Sequence, residues 1–351
     1  MDNSNYPQSI LSLVRPCISA LSPYSTARDD FKGKADIYLD ANESPYANGC
    51  NRYPDPRQQK LKSLIGEKCG IATENLFLGN GSDEAIDLLM RIFAEPGKHN
   101  IVAIAPSYGM YGVAAAINNL EVRQVLLNED FTLPVRRLLD ACDADTRLMF
   151  ICSPNNPTGN AFARNDIMRL AESFSGILVV DEAYVDFSAD GSVSDCIRDY
   201  PNVVILRTLS KAWGMAGLRI GLAIAVPEII DIMSNVKYPY NISEAAMEAA
   251  VEVLNKGIGS QVEEIISQRD ILARQLAECR CIRKVYPSDA NFLLVKTDDA
   301  DKLYTFLSQN GIIVRNRNSM PLCKDCLRIT VGLPSENRIL IETIKRYDSQ
   351  Q

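Results

Sequence analysis

The middle of the chain, from residue 75 to 226, repeats one cadence: a short run of consecutive apolar residues, a loop, then a segment with helical spacing. The runs occupy residues 75–78, 101–105, 148–152, 177–180, 203–206 and 220–226, with helix-spaced segments such as 83–93, 107–117 and 164–174 between several of them. A strand apolar at every position has both faces covered, so such runs alternating with helices predict a mostly parallel α/β sheet flanked by helices. Ligands of these sheets bind beyond the carboxyl ends of the strands. The residues directly after each run are therefore the candidates for function.

The texture changes near residue 240. Residues 243–279 read as one long helical stretch of mixed charge, followed by strand-like segments at 291–295, 312–314 and 327–331. This predicts a smaller α+β domain over 241–351 behind a large domain over 39–240. Residues 1–38 are expected to form an arm that packs on the small domain or on a partner subunit. A chain of 351 residues buries enough surface to fold without disulfide or metal staples.

Composition narrows the function. The 37 Lys and Arg against 44 Asp and Glu leave a net charge of −7, which argues against a nucleic-acid or anionic-membrane binder. His99 is the single histidine, so His-based dyads, triads and His-rich metal sites are nearly excluded. Ten cysteines are scattered, and the close pairs Cys279/Cys281 and Cys323/Cys326 lack the paired spacing of a zinc site. Reduced thiols in a cytoplasmic protein, and no metal, are the expectation. The amino terminus lacks the basic start and apolar core of a signal peptide. The most apolar stretch, 101–117, is interrupted by Pro106, Ser107, Tyr108, Gly109 and Gly112, so no membrane span is expected.

The residues after the runs carry chemistry. Gly79-Asn80-Gly81-Ser82-Asp83-Glu84 opens a helix, whose free N–H groups suit a phosphate, although a plain turn and N-cap reads equally well. Ser153-Pro154-Asn155-Asn156-Pro157-Thr158-Gly159 is a rigid loop that presents an amide. Asp181, at the end of a fully apolar strand, is costly there unless it pairs with a cation or caps a turn. Lys211 follows another apolar strand, where a desolvated amine becomes a nucleophile, and Ser210 and Arg219 flank it as anion donors. An amine for an aldehyde, a carboxylate for a ring nitrogen, a neutral donor and an anion cradle together meet the needs of pyridoxal 5'-phosphate.

At this point the sequence resembles a known family, the fold-type-I, pyridoxal-phosphate-dependent aminotransferases of class I/II, over essentially the whole chain. The resemblance rests on Leu39-Asp40-Ala41-Asn42-Glu43-Ser44-Pro45, Asn51-Arg52-Tyr53-Pro54-Asp55, the Ser153 to Gly159 loop, Asp181 to Tyr184, Ser210 to Arg219 and Leu327-Arg328-Ile329-Thr330-Val331-Gly332. It implies that the sheet of the large domain is seven-stranded, that Lys211 is the Schiff-base lysine and proton shuttle, and that Asp181 pairs with the pyridine nitrogen. Asn156 and Tyr184 would bond the ring oxygen, Tyr108 would stack on the ring, and Gly81, Ser82, Asp83, Ser210 and Arg219 would hold the phosphate. Tyr53 would reach the cofactor phosphate of the neighbouring subunit, making the protein a homodimer. Arg328 would grip the amino donor's carboxylate, with Tyr24, Asn42 and Arg315 on the substrate side.

The resemblance further implies the branch that moves an amino group from L-glutamate to imidazole-acetol phosphate, giving L-histidinol phosphate and 2-oxoglutarate, by a ping-pong cycle through pyridoxamine phosphate. The same cofactor residues would serve a phospho-amino-acid decarboxylase or an aromatic or broad-range aminotransferase. Residues 186–200 carry no matching motif.

Overall fold

The computed structural model describes residues 10–24 and 35–350. Seven strands form the larger sheet: β1 (Leu76–Asn80), β2 (Asn100–Ala105), β3 (Glu121–Leu126), β4 (Thr146–Cys152), β5 (Ile177–Asp181), β6 (Val203–Thr208) and β7 (Ile220–Ile224). Their order is β1-β7-β6-β5-β4-β2-β3, with β7 antiparallel to both neighbours and the remaining pairs parallel. The reason the runs are apolar at every position is visible in how alternate residues divide. Val102, Ile104, Met149, Ile151, Leu178, Val180, Val203 and Ile205 enter one core cluster. Ile101, Ala103, Leu148, Phe150, Ile177, Val179, Val204 and Leu206 enter a second cluster on the opposite face. Each face is covered, so neither tolerates a polar side chain.

β3 has no counterpart among the apolar runs. It is an edge strand in which only Val125 is buried, and Glu121 and Arg123 face solvent, so its sequence lacks the doubly buried signature. The strand order reverses between β2 and β4, leaving a crevice at their carboxyl ends. Asn155 spans it, accepting from Ser107 Oγ at 2.9 Å and donating to the Pro106 carbonyl at 3.0 Å.

The second sheet is antiparallel, ordered β10-β11-β9-β8 from β8 (Ile282–Val285), β9 (Phe292–Thr297), β10 (Arg315–Asn316) and β11 (Cys326–Thr330). Helices Gly259–Ala277, Ala300–Gln309 and Pro334–Ser349 supply its apolar cover. The expected strand at 312–314 is displaced to β10, directly after it. The single long helix expected over 243–279 is two helices, Glu244–Lys256 and Gly259–Ala277. Gly257, at φ +74°, breaks them, because that conformation is outside the helical region and suits a residue without Cβ.

Two expected boundaries differ from the packing. The division at 240/241 falls ahead of helix Glu244–Lys256, yet its Met247, Ala250 and Leu254 are buried in the large sheet's cluster. The described part of the amino-terminal arm packs on the large sheet rather than on the small domain. Val14 enters the second cluster, Arg15 N–H donates to Ile92 O at 2.9 Å, and the Arg15 side chain pairs with Glu95 at 2.9 Å. The unmatched segment 186–200 folds over buried Glu182, which accepts from Ser192 Oγ and Val193 N–H and pairs with Arg207 at 3.1 Å.

Candidate active site

A cavity of about 170 Å³ opens at the carboxyl ends of the central strands, lined by Asp83, Tyr108, Asn156, Asp181, Tyr184 and Lys211, with Ser82, Cys152, Ala183, Thr208, Ser210, Ala216 and Arg219 completing the wall. Asp181 is the last residue of β5 and is almost wholly buried. Its Oδ2 accepts from Tyr111 Oη at 2.7 Å and its Oδ1 from Ala183 N–H at 3.1 Å. Burial outweighs both bonds and pushes its carboxyl up to about 6. A carboxylate held this way, with no salt-bridge partner among the described residues, fits a protonated ring nitrogen.

Lys211 follows β6 in a turn closed by Gly214 N–H to Lys211 O and by Met215 N–H to Leu209 O. The residue is open to solvent at the cavity mouth, while the cavity walls desolvate its amine and Arg328 repels it. Both lower its pKa, against the pull of Asp181. Its Nζ lies 5.6 Å from the Tyr184 ring centroid. Burial raises the phenols of Tyr184 and Tyr108 well above their ordinary value, so both are neutral donors near pH 7.

The anion cradle is built by backbone. Helix Ser82–Phe93 starts at Gly81, φ +76°, without a side-chain cap, so its first N–H groups remain available at the cavity. Gly81 spends its own N–H on Arg219 O at 2.8 Å, and a Cβ on Gly81 would stand 2.6 Å from Arg219 Nη2. Arg219 donates to Ser210 Oγ at 3.3 Å and pairs with Asp83 at 3.4 Å, and Asp83 also accepts from Tyr108 Oη at 3.0 Å. A guanidinium, a hydroxyl and an open helix start around a glycine fit a phosphate group.

Asn155 and Asn156 divide the amide work of their loop. Asn155 is consumed in the crevice, whereas Asn156 lines the cavity and its Oδ1 accepts from Arg328 Nη1 at 2.5 Å, which leaves its Nδ2 as the donor for a ligand. Arg328, on β11, also lies over the Phe292 ring of β9 at 5.1 Å, and its bond to Asn156 links the small sheet to the large domain. Arg315 stands directly opposite Arg328 in the ladder and is exposed.

Of the expected residues, Tyr24, Asn42, Tyr53, Gly81, Arg315 and Arg328 do not line this cavity in the same chain. Tyr24 and Asn42 are exposed, Asn42 at φ +54°. Tyr53 stacks on Tyr240 at 4.4 Å, and its N–H donates to Glu43 at 2.6 Å, which also pairs with Arg52. Sequence reading missed Tyr111, whose place one helical turn after Tyr108 was the available signal, and Thr208, which bonds Ser210 at 2.9 Å. His99 lies at the amino end of β2, accepting from Glu95 N–H at 2.8 Å. Among the described residues no group of three or more His, Cys, Asp or Glu is placed to hold a metal ion, and no helix is long and apolar enough to cross a membrane.

An amine, a buried carboxylate and a phosphate cradle at the strand ends of a mostly parallel sheet, with a smaller sheet alongside, define a fold-type-I aminotransferase. A model of the family described as aminotransferase class I and II matches residues 36–344. The chain is 49% identical over 335 residues to the histidinol-phosphate aminotransferase of Parabacteroides distasonis, covering 95% of this chain and 97% of that one. The solved histidinol-phosphate aminotransferase of Clostridium acetobutylicum superposes with a TM-score of 0.78 at 25% identity, over 86% of this chain and 91% of that one. The fold of the Sinorhizobium meliloti histidinol-phosphate aminotransferase in complex with pyridoxal-5'-phosphate also matches, with TM-score 0.78 at 23% identity over 85% of this chain and 83% of that one. The chain belongs to the histidinol-phosphate aminotransferase family, within class I and II.

Proposed function

We propose that the chain transfers the amino group of L-glutamate to imidazole-acetol phosphate, giving L-histidinol phosphate and 2-oxoglutarate, with pyridoxal 5'-phosphate as its cofactor. The observation that carries the reading is the meeting of Lys211, Asp181 and Asn156 around one cavity, with Arg328 bonded to Asn156. When bound, the cofactor supplies an aldehyde for an amine and an electron-withdrawing ring.

The protein's own groups then have distinct tasks. Lys211, with its pKa lowered, would hold the cofactor through its neutral amine and would carry a proton to and from the substrate Cα. Asp181 would hold the proton on the ring nitrogen, in the orientation that Tyr111 and Ala183 fix. Asn156 and Tyr184 would donate to the ring oxygen, and the Tyr108 ring limits one wall. Ser82, Asp83, Ser210, Arg219 and the Gly81 turn anchor the phosphate. Arg328 receives the substrate carboxylate, since its planar fork matches two oxygens, with Tyr24, Asn42 and Arg315 on the substrate side.

The working unit in this reading is a cytoplasmic homodimer, in which Tyr53 reaches the cofactor phosphate of the partner subunit. The exposure of Tyr53 and its separation from the cavity of its own chain support this arrangement, as the ten free cysteines support a reducing compartment. A coupled assay with L-glutamate and imidazole-acetol phosphate, run beside phenylpyruvate, tests the substrate. Preference for phenylpyruvate, or release of carbon dioxide from a phospho-amino acid, would overturn it. Borohydride treatment of the yellow protein should fix the cofactor to the peptide that contains Lys211, and Lys211→Ala should abolish nearly all turnover.

A further inference from the structure

The β10–β11 corner holds more positive charge than the reading above uses. Arg315 faces Arg328 across the ladder, and Arg317 continues it, with its N–H donating to Cys326 O at 2.9 Å. The intervening side chains go the other way: Asn316 and Asn318 both donate to Asp301, at 2.6 and 2.9 Å. With 316 and 318 pinned to helix Ala300–Gln309, Arg315 shares the face that carries Arg328, and Arg317, held by Cys326 O just past the strand end, lies close enough for both guanidiniums to repel it. None of the three guanidiniums has a carboxylate partner among the described residues, and the Nε atoms of Arg317 and Arg328 are buried without an acceptor. Burial, then Arg328, then Arg315 push the Arg317 guanidinium down to about 10. A half-buried cation beside two others, with an unused donor, is an unfavourable arrangement until an anion enters it.

We infer that Arg317 is the third cation of an anion site shared with Arg315 and Arg328, and that it selects a doubly charged phosphate monoester over a singly charged carboxylate. The inference rests on the proposed substrate pair. A carboxylate brings one negative charge and is satisfied by Arg328, whereas a phosphate monoester brings between about 1.5 and 2 charges near neutral pH and a third oxygen. The additional cation thus adds affinity for one substrate and little for the other. Arg317 acts in binding, away from the amine that does the chemistry.

The test uses the cofactor-loaded protein, in which the cofactor's own phosphate site is filled. Arg317→Gln should lower kcat/KM for L-histidinol phosphate about 10- to 100-fold through KM, while the glutamate half-reaction changes less than about threefold. Arg317→Lys keeps the charge and should recover most of the loss. Inorganic phosphate, titrated calorimetrically, should bind the wild type more tightly as pH rises through the second phosphate ionisation, and this gain should shrink in Arg317→Gln. Equal losses in both half-reactions, no loss in either, or an unchanged phosphate pH profile would overturn the inference. If the wild type does not use L-histidinol phosphate, the substrate reading fails, and the phosphate titration still decides the anion site. If Arg317→Gln does not fold, phenylglyoxal labelling of the wild type decides it: phosphate should shield Arg317, and equal labelling with and without phosphate would overturn it.

Discussion

Tyr111 donates its phenolic proton to Oδ2 of Asp181 at 2.7 Å, across 70 residues of sequence and in the interior of the sheet. The bond fixes the carboxylate plane, and the stacking of Tyr111 on Phe150, centroids 4.8 Å apart, fixes Tyr111. Asp181 is thereby held in one orientation at the floor of the cavity, although burial disfavours its charge.

That tension has a measurable pH signature. The folded-state pKa of Asp181 is raised, so the protonated form is favoured on folding, and the contribution is intact below about pH 4. It is lost as pH rises through about 6, and a shift of roughly two units corresponds to about 3 kcal/mol. In cofactor-free protein, Asp181→Asn should therefore gain stability relative to wild type between pH 4 and 6 and keep the gain above it. Denaturant unfolding at several pH values measures this. In the loaded enzyme the same change should cut turnover by several powers of ten, about 4–7 kcal/mol in barrier. A loss of only a few-fold would mean that another group faces the ring nitrogen.

Arg315 and Arg328 present like charges at one ladder position, and they should separate functionally. Arg315→Leu should lower kcat/KM for L-histidinol phosphate about 10- to 150-fold, the value of one charge-assisted bond. The glutamate half-reaction should change much less, since Arg328 remains bonded to Asn156. Single-turnover rates for the two half-reactions measure the split, and equal losses would remove Arg315 from substrate selection.

Tyr53 is expected to act on the partner's site. Mixed dimers of Lys211→Ala and Tyr53→Phe should contain one site with both native groups, and activity should rise above that of either parent. Reconstitution of the mixed subunits followed by a steady-state assay reads this directly. No recovery would mean that Tyr53 serves its own chain or none.

Gly221 of β7 lies under the cradle, where an added Cβ would overlap the backbone of Gly81 and Ser82. Neither segment can yield, because one is a sheet strand and the other a helix start. Gly221→Ala should destabilise the protein by about 3 kcal/mol or more and weaken cofactor binding, as read by thermal unfolding and by cofactor titration. Unchanged values in both would separate β7 from the cradle.

Six strands of the large sheet and most of the site were legible in the sequence for a local reason. A strand covered on both faces must be apolar at every position, and the residues that end it, such as Asp181, Asn156 and Lys211, stand out against it. β3 was not legible, because an edge strand with one buried residue carries almost no burial signal.

The sequence by itself determined where the chain is extended, where it turns, and which polar groups sit at strand ends, since burial and turn chemistry act within a few residues. Only the tertiary structure decided that β7 runs against its neighbours, that the amino-terminal stretch lies on the large sheet, and that the helix after Ser243 breaks at Gly257. It also decided that Tyr111 meets Asp181, that Arg328 meets Asn156 across 172 residues, and that Arg315 stands opposite Arg328. Such meetings depend on strand order and register, which arise from packing whole elements together and leave no mark in the local pattern of either partner.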